Sequence, residues 1–403
     1  MVARRDSTFL TVDEALNIID QLSIQNPASV QISPKEAAGK VLAQDVVAQH
    51  DIPRFDNSAM DGFIFPKQDL ENGKKTFTVD GEIRPEHNPE SVEGPGEGFC
   101  KRIMTGAAVP DGDFQVIQIE LISVSGDQAT VQEIPDSNPV RKSGEGYRKG
   151  KPVLLAGTVM RPYESGLMIE SGNTRCHILE PLRISLQVTG SEITAENNTN
   201  GPVLEGIIGR WPGSVLKTLP VLEDDPKTVK ERLISLKESS DIVLTTGGIS
   251  MGKHDYILSA MQELGAEVLI RKVKQKPGKP FTISRLGDTI FFHLPGNPVS
   301  AVFTAEYYVR RFLSNRLGLS HTNYAAVVEG EFSNHRDDIT LFSPGRLGFN
   351  GKHQLTVSSE GVMKSHLLQL YTGNNAYVRI DPGTTCSDGE TVSITPFSTL
   401  RLP

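Results

Sequence analysis

The sequence predicts a multidomain α/β protein, and three observations carry that expectation. Strand-like and helix-like segments alternate between residues 183 and 313, which indicates a mostly parallel sheet with ligands at the C-terminal ends of its strands. Residues 63–140 instead carry short alternating runs separated by turns rich in Gly, Pro and Asp, the pattern of a β-rich insert. Beyond about residue 322 the pattern returns to short strands and Gly-rich turns, a small C-terminal β domain. A chain of 403 residues is too long for one ordinary core. The expected division is a discontinuous N-terminal linker domain (8–55 with 146–178), a β-rich insert (56–145), an α/β domain (179–323) and a C-terminal β domain (324–403).

Taken in order, Thr11 and Glu14 form a T-x-x-E capping box, and Val12, Ala15, Leu16, Ile19 and Leu22 repeat at helical spacing. Ser33-Pro34-Lys35-Glu36 repeats the start signal for a short helix to about Leu42. Residues 51–62 lack periodicity and hold Asp51, Asp56, Asp61 and an exposed-looking Phe55, so they read as a loop. Strands are expected near 76–79, 116–119 and 128–134. Residues 141–150 are basic and read as a flexible return linker, followed by a helix over 161–172 that closes back on the first. A strand over 183–189 ends in Gly190-Ser191-Glu192, and 197–201 is a polar break. Asp225-Pro226 caps a helix to about Leu236, with Val229, Leu233 and Leu236 on its core side. The buried strand of Ile242, Val243 and Leu244 breaks at Gly247-Gly248, and Ile257, Met261 and Leu264 share one face of the next helix. Strands near 267–273, 281–283 and 289–294 precede a last long helix over 297–313.

Composition narrows the function classes. The net charge of −8 argues against a dedicated nucleic-acid binder. Cys100, Cys176 and Cys386 are scattered and odd in number, which favours a reducing compartment over a disulfide framework. No apolar leader follows Arg4 and Arg5, and no run approaches membrane length. A cytoplasmic protein without membrane or nucleic-acid partners is expected.

The chemistry concentrates around residues 241–255. Glycines 247 and 248 between a strand and a helix let backbone N–H groups approach an anion closely. A second loop of this kind, L-P-G-N-P-V-S at 294–300, offers Asn297 as N-cap and Pro298 at the first helical position. Between the loops lie Arg271, Lys272, Lys274, Lys276 and Lys279, punctuated by Pro277, Gly278 and Pro280. A charge run is usually a solvated edge, but two anion loops beside it favour a site for a phosphorylated ligand. Gly248-Ile249-Ser250-Met251-Gly252 also matches G-x-S-x-G, so a hydrolase with Ser250 as nucleophile is an alternative. Its base would be one of His293, His321, His335, His353 or His366, none in a diagnostic context. Dinucleotide and Walker fingerprints are lacking. Asp61, Glu192, Asp224 and Asp255 sit at loop positions, where single carboxylates are usually caps or surface turns; brought together, they would suit Mg²⁺ bridging to substrate phosphates.

Six motifs in order then resemble the MoeA-type molybdopterin molybdenumtransferases, the family that includes the gephyrin E domain. They are F-D-N-S-A-M-D-G (55–62), R-I-M-T-G (102–106), T-T-G-G-I-S-M-G-K-H-D-Y (245–256), K-P-G-K-P (276–280), L-P-G-N-P-V-S (294–300) and P-G-R-L (344–347). The resemblance covers nearly the whole chain. It implies a molybdopterin-binding three-layer α/β domain, a C-terminal β-barrel-like domain, and Mg²⁺-dependent insertion of molybdate into adenylylated molybdopterin with release of AMP. It also implies a homodimer whose cleft is shared between subunits, and transient contact with a molybdopterin adenylyltransferase and with molybdoenzymes. By position, Asp61 and Thr105 resemble residues lent by the partner subunit, and Asp255 resembles the loop acid. Glu192 and Asp224 match further acidic positions that, with Asp255, would hold the metal. Lys272, Lys276 and Lys279 match the basic positions near phosphate and molybdate, and Arg141, Gly247, Gly248, Ser250 and Gly252 are also expected to bind substrate. Pro295, Gly296, Asn297 and Pro298 shape the second loop, and Arg346 and Ser365 match positions at the molybdate end. Asp61, Asp255, Lys276 and Lys279 are the expected catalytic set.

Two departures stand out. Gly146 replaces the customary Asp of R-x-x-G-E-D, with Glu145 one position away, and Ser191 replaces the Asp of T-G-D-E. Residues 200–222 carry Trp211-Pro212-Gly213 where a regular helix is expected. A diverged relative that binds molybdopterin or a partner with little turnover is therefore the second reading. A molybdopterin adenylyltransferase is a third, against which the flanking domains and Arg346 count.

Overall fold

The computed structural model describes residues 9–24, 28–248, 256–319, 324–359 and 367–399. At its centre a six-stranded sheet runs in the spatial order Ser214–Thr218, Leu182–Val188, Ile242–Thr246, Thr289–Leu294, Thr282–Leu286 and Glu267–Arg271. The first four strands run parallel, Thr282–Leu286 runs opposite to them, and Glu267–Arg271, antiparallel to that strand, runs with the first four again. Successive side chains of a strand point to opposite faces, and both faces are covered. Ile242, Leu244, Ile290, Phe292 and Leu294 face one core, while Val243 and Phe291 face the other. The second core is closed by helices Pro226–Ser239 and Tyr256–Glu263. This makes three layers.

The first helix, Val12–Gln21, opens on the expected capping box: Glu14 N–H donates to the Thr11 hydroxyl at 3.2 Å, and Thr11 N–H donates to the Glu14 carboxylate at 2.8 Å. Its buried Val12, Ala15 and Ile19 join the α/β core, and it lies against Arg310–Arg316. The helix Pro162–Glu170 packs instead against a single 3₁₀ turn, Pro34–Glu36, and strand Pro152–Leu154. It therefore does not close back on the first helix. The start signal at Ser33 yields that one turn and no helix to Leu42, because residues 41–42 bridge to Val159 and Ile178.

Residues 141–150 are not a loose linker. Lys142 pairs with Asp56 at 2.8 Å, Ser143 N–H donates to the same carboxylate, and Lys149 N–H donates to Asp51 at 2.8 Å. The three aspartates of the 51–62 loop explain this: two of them fasten the returning chain, and Phe55 is half-buried. Between these segments lies a six-stranded sheet in the order Phe114–Gln118, Gly62–Pro66, Phe99–Ile103, Thr76–Ile83, Gln128–Val131 and Ile122–Ser125, with a small core on each face.

The last long helix is Pro298–Thr304, continued through a π-turn at Ala305–Val309 into Arg310–Arg316. Its Phe303, Tyr307 and Tyr308 pack against one another, and Phe303 and Tyr307 meet Phe342 of the C-terminal domain. In that domain Thr340–Phe349, Leu355–Ser358, Tyr324–Glu329, Thr391–Pro396 and Ala376–Ile380 pair in succession, and the last pairs back with the first. The result is a closed five-stranded barrel, which removes exposed sheet edges. Glu306, almost wholly buried, ties the barrel to the helix by accepting from Ser398 N–H and Oγ and pairing with Arg310 at 2.9 Å.

Candidate active site

The first strand of the α/β sheet sends its successor to one side and the third strand to the other, so the connections diverge at the C-terminal ends of Leu182–Val188 and Ile242–Thr246. Ligands of open α/β sheets bind at such a switch point. A cavity of about 750 Å³ lies there, with walls from Val188, Thr189, Thr246, Gly247, Gly248 and the loop Pro295–Pro298. Gly247 has φ 88°, and a Cβ on it would lie 2.7 Å from the Thr189 carbonyl oxygen. The two strand ends can approach this closely only through glycine.

The 295–298 loop behaves partly as expected. Pro298 begins the helix and Asn297 holds the N-cap position, but the Asn297 side chain makes no capping hydrogen bond; it lines the cavity instead. On the facing wall the polar run of residues 197–200 leads into helix Asn200–Ile208. Asn200 Nδ2 donates to the Gly296 carbonyl at 2.8 Å, binding the two walls together. The helix ends at the Trp211-Pro212-Gly213 turn and strand Ser214–Thr218 follows, so no regular helix spans 200–222.

Among the described residues two cations reach this cavity, Lys272 and Lys279, and one acid, Glu192. The Lys272 Nζ lies 5.6 Å and the Lys279 Nζ 4.7 Å from the ring centre of Phe9, which also lines the wall. The Oγ1 of Thr246 and Oδ1 of Asn200 are buried without a hydrogen-bond partner among the described residues, and both residues line the cavity. Buried polar atoms are normally paired, so these two are exceptions beside the cavity. Phe9 and the run 197–200 are not among the residues the sequence marks for the site, and Thr189 and Thr246 enter only as members of the T-G-D-E and 245–256 motifs. The amide- and hydroxyl-rich run was the available signal, and it read as a break.

Other expected site residues lie elsewhere in the chain. Lys276 sits on strand Gln275–Lys276, paired in parallel with Thr340 and Leu341 of the barrel, and does not line the cavity. Arg141 pairs with Asn57 within residues 56–145, and Arg346 is an exposed residue of the barrel strand Thr340–Phe349. Asp61 accepts from Thr105 N–H at 2.7 Å and its hydroxyl at 2.9 Å, and these bonds hold its carboxyl below the usual range. This pair belongs to the insert and is apart from the cavity wall. Asp224 is also off the wall. It accepts from Ser191 N–H at 3.1 Å, and its own N–H donates to the Ser191 hydroxyl at 2.9 Å. Ser191 thus supplies an oxygen acceptor to that N–H, as an aspartate could. Gly146 N–H donates to the Ile52 carbonyl at 3.0 Å, where a Cβ would be 3.1 Å from that oxygen. Glu145 accepts from Lys142 N–H in a local turn. Ser250, Gly252, Asp255 and Ser365 lie outside the described residues.

His293 cannot serve a hydrolase as base. It is fully buried, with Nδ1 2.9 Å from Thr245 Oγ1 and Nε2 2.7 Å from Ser284 Oγ, and burial pushes its pKa down to about 3. His321 and His366 lie outside the described residues.

A chain built this way has the layout of a molybdopterin-binding α/β domain set within flanking β domains, and comparison with known proteins agrees. Residues 10–172 match the family described as MoeA N-terminal region (domain I and II), and residues 186–315 the probable molybdopterin binding domain. The molybdopterin molybdenumtransferase of Haemophilus influenzae is 30% identical over 410 residues, covering 97% of this chain and 99% of that protein. The molybdopterin molybdenumtransferase of Staphylococcus aureus strain COL is 29% identical over 372 residues, covering 88% of this chain and 86% of that protein. The structure of the molybdopterin biosynthesis moeA protein of Pyrococcus horikoshii OT3 superposes with a TM-score of 0.78 at 25% identity, covering 97% of this chain and 100% of that one. The chain belongs to the MoeA family of molybdopterin molybdenumtransferases.

Proposed function

We propose that the protein inserts molybdate into adenylylated molybdopterin, releasing AMP and forming molybdenum cofactor. The observation that carries this reading is the cavity itself: Lys272 and Lys279 line it with the Gly247-Gly248 turn and the polar run 197–200, at the C-terminal ends of parallel strands. Molybdate and phosphates are anions, so the ammonium groups supply the charge and the polar run 197–199 on the facing wall supplies hydrogen-bonding groups. Water attacks the phosphoanhydride that joins AMP to molybdopterin, so that bond breaks and AMP leaves, while molybdenum takes the two dithiolene sulfurs and one molybdate oxygen departs as water with their protons; no covalent enzyme intermediate is needed.

Mg²⁺ fits the donor chemistry. Among the described residues no group of three or more His, Cys, Asp or Glu gathers into a cage. Magnesium is commonly held by one or two carboxylates together with substrate phosphates. Glu192 is the carboxylate on the cavity wall, Asp224 is hydrogen-bonded next door, and Asp255 is the third in this reading. When bound, the cation neutralises charge at the breaking phosphate linkage. Since Asp61 and Thr105 are apart from this chain's own cavity, the reading includes a homodimer in which the partner subunit brings that pair, with Arg346 and Ser365, to the cleft. Its locale is cytoplasmic, with transient contact to the adenylyltransferase that makes the substrate and to molybdoenzymes. No described helix is long and apolar enough to cross a membrane.

The test is molybdate-dependent AMP release from adenylyl-molybdopterin by the purified protein with Mg²⁺. Lys279→Ala should lower turnover efficiency by about 10- to 100-fold, the worth of one charge-assisted hydrogen bond. Lys276→Ala should cost less, and an equal loss would extend the anion site beyond this cavity wall. Tight molybdopterin binding without AMP release would instead favour the diverged, binding-only relative suggested by Gly146 and Ser191.

A further inference from the structure

The N-terminal segment contributes an aromatic ring to the cavity, although it precedes the α/β domain by more than 170 residues. Leu10 forms a parallel bridge with Val273: Leu10 N–H donates to the Lys272 carbonyl at 3.3 Å, and Lys274 N–H donates to the Leu10 carbonyl at 2.7 Å. That pairing fixes the backbone next to Phe9. The ring then lies within 5.6 Å of the Lys272 ammonium and 4.7 Å of the Lys279 ammonium. Lys272 itself has φ 63°, a left-handed conformation uncommon for a long side chain. Two cations near one ring repel each other, and the negative face of the ring offsets that repulsion.

We propose that Phe9 is a positioning residue that holds Lys272 and Lys279 together, ready for the phosphate or molybdate group of the substrate. This rests on the anion-site reading of the cavity given above. Lysine side chains lose considerable rotamer freedom when ordered, so a ring that gathers both before the anion arrives lowers the ordering cost of binding. The role belongs to the π face. An aliphatic residue of similar bulk would fill the wall without attracting the ammonium groups.

Calorimetric titration of the full-length protein with inorganic phosphate and, separately, with AMP tests this. Phe9→Leu should weaken both ligands alike, by about 5- to 10-fold for loss of the cation–π contacts, while Phe9→Tyr should bind like the parent. In turnover, KM should rise in Phe9→Leu with little change in kcat. Weakening of AMP alone would make Phe9 a stacking surface for the adenine and overturn the proposal. So would unchanged affinity for both ligands, or failure of Phe9→Tyr to restore binding. If the parent protein binds neither phosphate nor AMP, the anion-site reading fails and this inference falls with it. Parent binding with an unaffected Phe9→Leu removes the inference alone.

Discussion

Gly247→Ala is expected to lower AMP release by at least about 100-fold and to destabilise the fold by about 2–4 kcal/mol. Gly247 has φ 88°, a conformation that costs a residue with a Cβ, and that Cβ would stand 2.7 Å from the Thr189 carbonyl oxygen and 3.1 Å from its hydroxyl. The obstacle is backbone, so one strand end must move. Thr189 precedes the Glu192 loop, and Gly247 is bonded across to Leu294 just before the 295–298 loop. Displacement therefore reaches three walls of the cavity. Gly248→Ala is the control: at φ 65° its Cβ would meet Ile257 Cγ1 at 2.9 Å, a side-chain atom rather than backbone. Urea denaturation and AMP-release assays on both variants decide the matter. Equal effects from the two would sink the close-approach argument, because both share the left-handed backbone and differ only in what they strike.

The second large effect concerns pH. His293 is wholly buried between Thr245 and Ser284, and its pKa falls to about 3 because burial penalises the charged form. In the unfolded chain the ring titrates near its ordinary value, about 6.5. Between those values the unfolded state binds a proton that the folded state excludes. The histidine's contribution is intact above about pH 6.5. As pH falls below that, stability is lost by about 1.4 kcal/mol per unit, toward about 5 kcal/mol near pH 3. His293→Gln keeps a polar side chain between the two hydroxyls and has nothing to protonate. Unfolding free energies from pH 8 to pH 5 should therefore drop more steeply in the parent than in His293→Gln, the difference growing by that amount per unit below pH 6.5. Parallel curves would show that the folded protein accommodates the charged ring.

Much of this protein is legible in its residues because local rules suffice. The Thr11–Glu14 box fixes the first helix, Asp225-Pro226 fixes another, and the run Ile242–Leu244 reads as a buried strand because a short apolar run with β-branched Ile242 and Val243 ends at a Gly-Gly break. Such rules also place Gly247, Gly248 and Pro295–Pro298 at strand-to-helix turns, where anions bind. They fail where a segment's role depends on a distant neighbour. Residues 141–150 look flexible until Asp51 and Asp56 meet them.

The sequence by itself determined the class of fold, the order of the motifs and the cationic character of one loop, since these depend on residue type and spacing along the chain. Only the tertiary structure decided which cations share a cavity with Glu192, that Phe9 lies beside them, and that Ser191 pairs with Asp224. Those are long-range proximities, set by how layers and crossovers pack, and no periodicity in a single chain encodes them.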